Sequence, residues 1–451
     1  MPSDPAVRSL VRLIVLAGVA GASVPAQADF IYARLVPGAG MEAEGASTDV
    51  DVSHDGRTVV FASTAQNWVV GDTYNGRRAI AIDLDTGVVE AVSADGNGIF
   101  RGETPVVSGD GRHVAFLTIN PAYGPNWQVL RKDRETGQVE LASASAGGQA
   151  PANGTNDNTV SISADGRYVA FQTTSSMTGD AERPGGGAAP AGSSGEIYVK
   201  DMVSGQVKLA SATSAGAASG GGCSLERHAL SANGRYILMV CSQAMVPGAS
   251  SGQAYLRDLQ ANTTELVSRS TSAPNGSNAF VYRPAISPSG RFVAFQSRGY
   301  GGLGYADGSS SEGNSGLYLR DRQQDLTIAI PRPSTMPASA YDGCSTPAVS
   351  DIASVVFSCN YNWIGSSAYA QVHLFVPGAG APDMISGPVP GQPGDGPAGY
   401  TSAVNASGLS MAWESSATNV DPDDGNGASD IFVLVEESVI SELIFADGFD
   451  S

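Results

Sequence analysis

The chain has 451 residues, a formal net charge of −19 and only 15% charged residues against 42% hydrophobic ones. Its length suits two or three ordinary domains or one large repetitive one. The acid excess argues against nucleic acid and anionic membrane surfaces as partners, and 56 Gly with 25 Pro point to an all-β chain rich in turns.

The N terminus reads as an export leader. Arg8 and Arg12 precede an apolar stretch, LIVLAGVAGASV (13–24), and Ala26-Gln27-Ala28 forms a small-residue cleavage signal. Residues 1–28 are therefore expected to be removed, leaving a mature chain from Asp29. The alternative is an anchor or a hydrophobic helix, but the apolar stretch is short for a bilayer. No later segment is long and apolar enough to span one, so the mature chain is expected to have no transmembrane segment and to be exported, periplasmic or extracellular.

One phrase then recurs along the chain. VSHDGRTVVFAS (52–63) returns as VSGDGRHVAFLT (107–118), ISADGRYVAFQT (162–173), LSANGRYILMVC (230–241) and ISPSGRFVAFQS (286–297). Weaker copies are VSDIASVVFS (349–358) and VNASGLSMAWES (404–415). Aligned on the residue that opens the turn (Ser53, Ser108, Ser163, Ser231, Ser287, Ser350 and Asn405), the spacings are 55, 55, 68, 56, 63 and 55. Such a period means a solenoid or a propeller. Each copy is strand, tight turn, strand, with Asp-Gly or Asn-Gly supplying the positive φ of a short hairpin. A second hairpin follows in five units, as in AIAIDLDTGVVEAVS and IYVKDMVSGQVKLAS. Four strands per unit, seven units and no helix signal predict a seven-bladed β-propeller of four-stranded antiparallel blades over 29–435. FIYARL (30–35) aligns with the fourth strand of a blade, so the N-terminal strand is expected to complete the seventh blade and close the ring. The competing segment is SVISEL (438–443).

The four cysteines pair by the same logic. Cys223 and Cys241 flank one repeat turn, and Cys344 and Cys359 flank the equivalent turn two units later. Each pair lies nearly opposite across an antiparallel hairpin, where side chains come within bridging distance. Disulfides 223–241 and 344–359 suit an oxidising compartment.

The phrase S-x-D-G-R followed by two apolar residues and A-F-x-S, and then I-Y-V-x-D, resembles the WD40-like (PD40) repeat of TolB-type propellers. The resemblance covers most of 48–435 and implies a propeller fold and an exported bacterial protein. TolB itself carries an α/β domain before a smaller propeller. Here only 29–47 precede the first repeat and the unit is longer, so the resemblance does not imply TolB's own role.

Candidate sites follow from the loops. Turns within the hairpins are short and uniform, whereas 179–196, 298–316 and 386–400 are long and irregular. Function concentrates on variable loops held by a rigid frame, so the long-loop face and central funnel are the expected site. Trp68, Trp127 and Trp363 fall between second and third strands, and Tyr300 and Tyr305 lie in a long connection, as do Tyr123, Tyr341, Tyr361 and Tyr400. Exposed rings there could grip a peptide or stack on sugar; their alternative is to cover the seams between blades. DPDDGNGASD (421–430) is an oxygen-rich loop in which Asp421, Asp423 and Asp424 could meet Ca²⁺, although it lacks the glutamate of such loops. The repeated Asp83, Asp133, Asp201, Asp258 and Asp321 read as turn caps, and Arg57, Arg112, Arg167, Arg235 and Arg291 as turn or blade structure. GASSG (248–252) matches a nucleophile elbow but lies in a Gly/Ser loop with no helix after it. His54, His113, His228 and His373 are scattered over four blades, so zinc is not expected.

These readings converge on an exported propeller without catalysis, a monomer that binds a protein or peptide partner through its long-loop face. No cofactor is expected, with Ca²⁺ the one candidate. A carbohydrate-binding or glycan-active propeller is the first alternative and a structural envelope protein the second. The tail, 436–451, breaks the repeat and reads as a sorting or docking segment.

Overall fold

The computed structural model describes residues 8–10, 12–15, 30–38, 41–156, 160–177, 195–220, 222–270, 273–276, 280–298, Leu303, 315–331, 344–359, 369–388 and 392–436. Within them, seven antiparallel blade sheets follow one another along the chain and close into a ring, with a small two-stranded ribbon, Ala94–Asp95 and Gly98–Ile99, between the first two. Blade 1 comprises Ser47–Val52, Thr58–Ser63, Arg78–Asp83 and Val88–Ala91. Blade 2 comprises Glu103–Val107, His113–Thr118, Gln128–Asp133 and Val139–Leu141. Blade 3 comprises Ser161–Ile162, Tyr168–Thr173, Glu196–Asp201 and Val207–Leu209. Blade 4 comprises Cys223–Leu230, Tyr236–Cys241, Gln253–Asp258 and Thr263–Leu266. Blade 5 comprises Val281–Ile286, Phe292–Arg298, Ser315–Asp321 and Leu326–Ala329. Blade 6 comprises Ser345–Val349, Val355–Cys359, Gln371–Phe375 and Asp383–Met384. Blade 7 takes Ala398–Val404, Ser410–Ser415 and Asp430–Glu436 from the end of the chain and Phe30–Val36 from its start.

The expected closure is therefore present: Phe30 to Leu35 pair in antiparallel register with Glu436 to Ile431. The competing segment, 438–443, lies outside the described residues. Arg8–Leu10 and Arg12–Val15 extend blades 1 and 7 outward by one strand each. Both belong to the segment read as a leader, so its removal would leave four strands in every blade.

The repeated phrase builds one hairpin turn again and again. Ser53 Oγ accepts the N–H of Thr58 at 2.9 Å, and Asp55 Oδ1 accepts the N–H of Arg57 at 3.0 Å. Ser108 with Asp110, and Ser163 with Asp165, repeat the pattern. The turn glycine is needed twice over. Gly111 has φ of 74°, and a Cβ there would stand 2.2 Å from Thr58 Oγ1 of the preceding blade.

These turns also join the blades. Asp55 N donates to Gly109 O, Gly109 N to Ala164 O, Ala164 N to Ala232 O and Ala232 N to Pro288 O, at 2.7–3.1 Å. Pro288 has no N–H, so Ser289 N takes over and donates to the Asp351 carboxylate at 2.7 Å. Asp351 N then donates to Ala406 O, and Ala406 N returns to His54 O at 3.3 Å. The seven bonds form a closed circle.

The repeated arginine and aspartate are partners within a blade. Arg167 Nε and Nη2 lie 2.8 and 2.7 Å from the two carboxylate oxygens of Asp201, which also accepts the N–H groups of Val203 and Ser204. Arg112–Asp133, Arg235–Asp258 and Arg291–Asp321 repeat the clamp. In blade 1, Arg57 instead reaches Asp85 at 3.4 Å, and Asp83 caps Thr86. The aspartates are thus turn caps, as their placement indicated.

Between blades the core is aromatic. The second-strand Phe and third-strand Tyr of the phrase are cross-strand partners, Phe171 with Tyr198 at 6.0 Å and Phe295 with Tyr318 at 5.5 Å between ring centres. All four rings are fully buried. Both expected disulfides are present, Cys223–Cys241 and Cys344–Cys359, each joining first and second strands of one blade. No other cysteine exists.

Arg34, on the closing strand, is 1% exposed. Its Nε donates to Asp421 at 2.6 Å and its Nη1 to Asp430 at 2.8 Å, with Glu42 and Asp424 at 3.6 and 3.7 Å. A buried ion pair is weak evidence for net stability, but removing one partner strands the other. Arg34→Ala should therefore lower the unfolding free energy by about 3–5 kcal/mol in a urea titration. Arg167→Ala, which breaks a clamp whose arginine is 41% exposed, should shift the same titration far less than Arg34→Ala does.

Candidate functional site

The first strand of every blade faces the axis. Val52, Val107, Ile162, Leu230, Ile286, Val349 and Val404, one from each blade, form an apolar collar around a space of about 40 Å³ at the short-turn end. Each immediately precedes the residue that opens its turn, so the collar follows directly from the repeat.

Above the collar the inner strands stop being regular. Pairing between first and second strands shifts register in six blades, at 48–51, 103–106, 225–230, 282–285, 345–348 and 398–402. Five non-glycine residues at these bulges are left-handed: Asp49 (φ 59°), Thr104 (45°), His228 (51°), Arg283 (45°) and Thr346 (50°). Such backbone costs roughly 1–3 kcal/mol per residue and concentrates where a side chain must be re-aimed. All five line one cavity of about 730 Å³. Phe280 and Tyr400, 53% and 69% exposed, stand at its rim.

The floor is polar and built from opposite blades. Arg227 of blade 4 crosses the bore, and its Nη2 donates to the carbonyls of Asp49 (3.3 Å) and Val50 (3.1 Å) in blade 1 and Pro105 (3.0 Å) in blade 2. Its Nη1 is 3.8 Å from Asp49 Oδ1, while Arg77 holds Asp49 Oδ2 at 3.0 Å. Beside it, His228 Nδ1 lies 3.7 Å from Asp51 Oδ1, and Asp51 Oδ2 accepts the N–H of Val107 at 3.0 Å. Glu414, 3% exposed behind the strands, accepts the N–H groups of Asp49 and Thr401 at 3.1 and 3.0 Å. Burial pushes the His228 imidazole down, so it stands neutral. Burial pushes the Glu226 carboxyl up to about 7 against the pull of Arg283, and pushes Glu414 up to about 7, helped by the Asp49 charge.

The side chains singled out from sequence are distributed otherwise. Trp68 is fully buried, edge-on to Phe61 at 4.9 Å, and does not reach a ligand surface. It sits in a short 3₁₀ turn that folds the ring into the interior of blade 1. Trp127 is half-buried and packs against the core around blade 3, with the Arg101 guanidinium 4.7 Å above its ring. Tyr300, Tyr305, Trp363, Tyr341 and Tyr361 lie outside the described residues. Among the named rings that are described, Tyr400 alone lines the funnel, and Tyr123 packs on Phe100. Asp421 and Asp424 face the guanidinium of Arg34 rather than an open loop, and Asp423 is exposed. Among the described residues no group of three or more His, Cys, Asp or Glu is set to hold a metal ion. GASSG remains a loop, with positive φ at Gly248 and Gly252 and no helix after it. His228 does belong to the funnel, and His54 lines the space at the collar.

Sequence reading missed Asp49, Thr104, Glu226, Arg227, Arg283 and Thr346. A signal was present: Pro105, Pro284 and Pro347 interrupt three inner strands directly after a left-handed residue. Proline cannot donate to the ladder and marks bulges in a sheet interior.

The Glu226 carboxyl holds its proton to higher pH in the folded chain than in the unfolded one, so stability should fall as pH rises from about 4.5 to about 7 and level off above. Glu226→Gln should accordingly raise the thermal midpoint at pH 8, with the gain vanishing near pH 4.5. Scanning calorimetry of both chains across that range checks this.

No family model and no curated protein matches the sequence. Solved structures match in fold. The β-propeller domain of the Trilobed protease from Pyrococcus furiosus is 14% identical, with a TM-score of 0.51, over 90% of this chain and 100% of that one. Oligogalacturonate lyase from Vibrio parahaemolyticus is 10% identical, with a TM-score of 0.55, over 96% and 99%. TolB from Acinetobacter baumannii is 15% identical, with a TM-score of 0.39, over 74% and 61%. At these identities the likeness is one of fold: a seven-bladed propeller.

Proposed function

We propose that this chain is an exported, non-catalytic binding propeller whose funnel receives a peptide segment of a partner protein in the envelope or medium. Residues 1–28 act as the leader and the terminal segment read as 436–451, whose first residue Glu436 ends a strand of blade 7, as a sorting or docking tail. The observation that carries the reading is the strained lining: five left-handed side chains of mixed charge and hydrogen-bonding type turned towards one cavity. Such a floor offers partners to both ends of a peptide dipole, and the rings at the rim offer apolar contact. Two disulfides fit the oxidising compartment of an exported protein, and no helix among the described residues is long and apolar enough to cross a membrane.

A second reading rests on one observation. Glu226 keeps a proton near neutrality, as a general acid must, which suits a glycan-active propeller. The fold shared with oligogalacturonate lyase makes oligogalacturonate the sugar to try.

The test immobilises the mature chain and offers it a fluorescent degenerate peptide pool and, separately, oligogalacturonate. Retention of peptide, reduced about tenfold in Phe280→Ala/Tyr400→Ala with an unchanged thermal midpoint, is expected. Retention or cleavage of the sugar, with no peptide held, would replace this reading by the second.

A further inference from the structure

The funnel floor contains donors that the fold leaves unused. Arg227 spends Nη2 on three backbone carbonyls, whereas its Nε and Nη1 have no hydrogen-bond partner among the described residues. Thr104 Oγ1 is likewise buried and unpartnered. Both residues line the same cavity, and Thr104 is held there by left-handed backbone. A buried donor without an acceptor is costly, so three such atoms around one space describe a missing acceptor. Arg77 and Arg227 share the carboxylate of Asp49, so Asp49 balances only one of the two guanidinium charges.

We propose that this floor takes the free C-terminal carboxylate of a peptide, with Arg227 and Thr104 as its donors. The inference rests on the peptide reading above and names the group recognised. A carboxylate offers about four lone-pair sites, and its plane matches the guanidinium fork. The neutral His228 imidazole keeps its N–H on Nδ1, towards Asp51, so its Nε2 is an acceptor and takes no part in holding a carboxylate. One carboxylate fits better than a row of them. Asp49 flanks the same space, and its charge would repel the further carboxylates of a polyuronate. The apolar collar beneath the floor stops a chain from passing further, so an end is what can be seated.

The experiment compares two N-acetylated degenerate tetrapeptide pools, one ending in the free acid and one in the amide, with trigalacturonate as the third probe. Retention on the mature chain is read by mass spectrometry. The free-acid pool should be held at least about tenfold better than the amide, a difference of about 1.4 kcal/mol. Arg227→Gln should abolish the preference. Because Arg227 also braces the bore, Thr104→Val provides the second variant, which should weaken acid retention more than amide retention without lowering the thermal midpoint. Equal retention of acid and amide overturns the carboxylate inference and leaves the peptide reading standing. Retention of trigalacturonate alone, or of no probe, overturns both.

Discussion

The circle of hydrogen bonds through the short turns is the constraint on which the rest depends. Seven sheets could splay, slide or open at any seam, because apolar packing between blades is not directional. Main-chain bonds from each turn to the next fix the angle and height of every blade at once. Six seams use a carbonyl acceptor. The seam at Pro288 shows how strict the demand is, since loss of one N–H is met by moving the donor to Ser289 and recruiting the Asp351 side chain. The glycines at the turns follow from the same demand, for a Cβ would hold neighbouring blades apart.

A frame so regular at one face frees the other to vary. At the turn end all seven blades agree, down to one apolar residue each in the collar. A few residues further up, six of the inner strands bulge with different side chains at the bulge, and Asp49, Thr104, His228, Arg283 and Thr346 take backbone angles that isolated strands avoid. The strain is tolerable because the flanking strands are paired on both sides of each bulge. Arg227 then ties blade 4 to blades 1 and 2 across the bore, so the floor belongs to the ring as a whole and to no single blade.

This division explains what was legible in the sequence. The blades, the closing strand, the disulfides and the aspartate caps repeat, and a repeat needs only comparison of the chain with itself. The funnel is built from the positions where the repeats disagree, and one chain gives no second example of each disagreement. Trp68 misled because a large ring between strands resembles an exposed one, whereas a local 3₁₀ turn buries it. Asp421 and Asp424 resembled a cation loop because their counter-ion, Arg34, lies almost four hundred residues away and arrives only when the ring closes. Thr104-Pro105, Arg283-Pro284 and Thr346-Pro347 were the one local trace of the site, readable as bulges but silent about what the bulges face.

The collar has a topological consequence. With seven apolar side chains meeting at the turn end and two residues of blade 4 lying across the bore above them, the propeller is a cup and not a tube. Anything that enters must back out the way it came, and water displaced from the floor has to pass the incoming guest at the rim. A polypeptide cannot be threaded through such a body, and a chain long enough to reach the floor could seat only a terminus or a tight loop there.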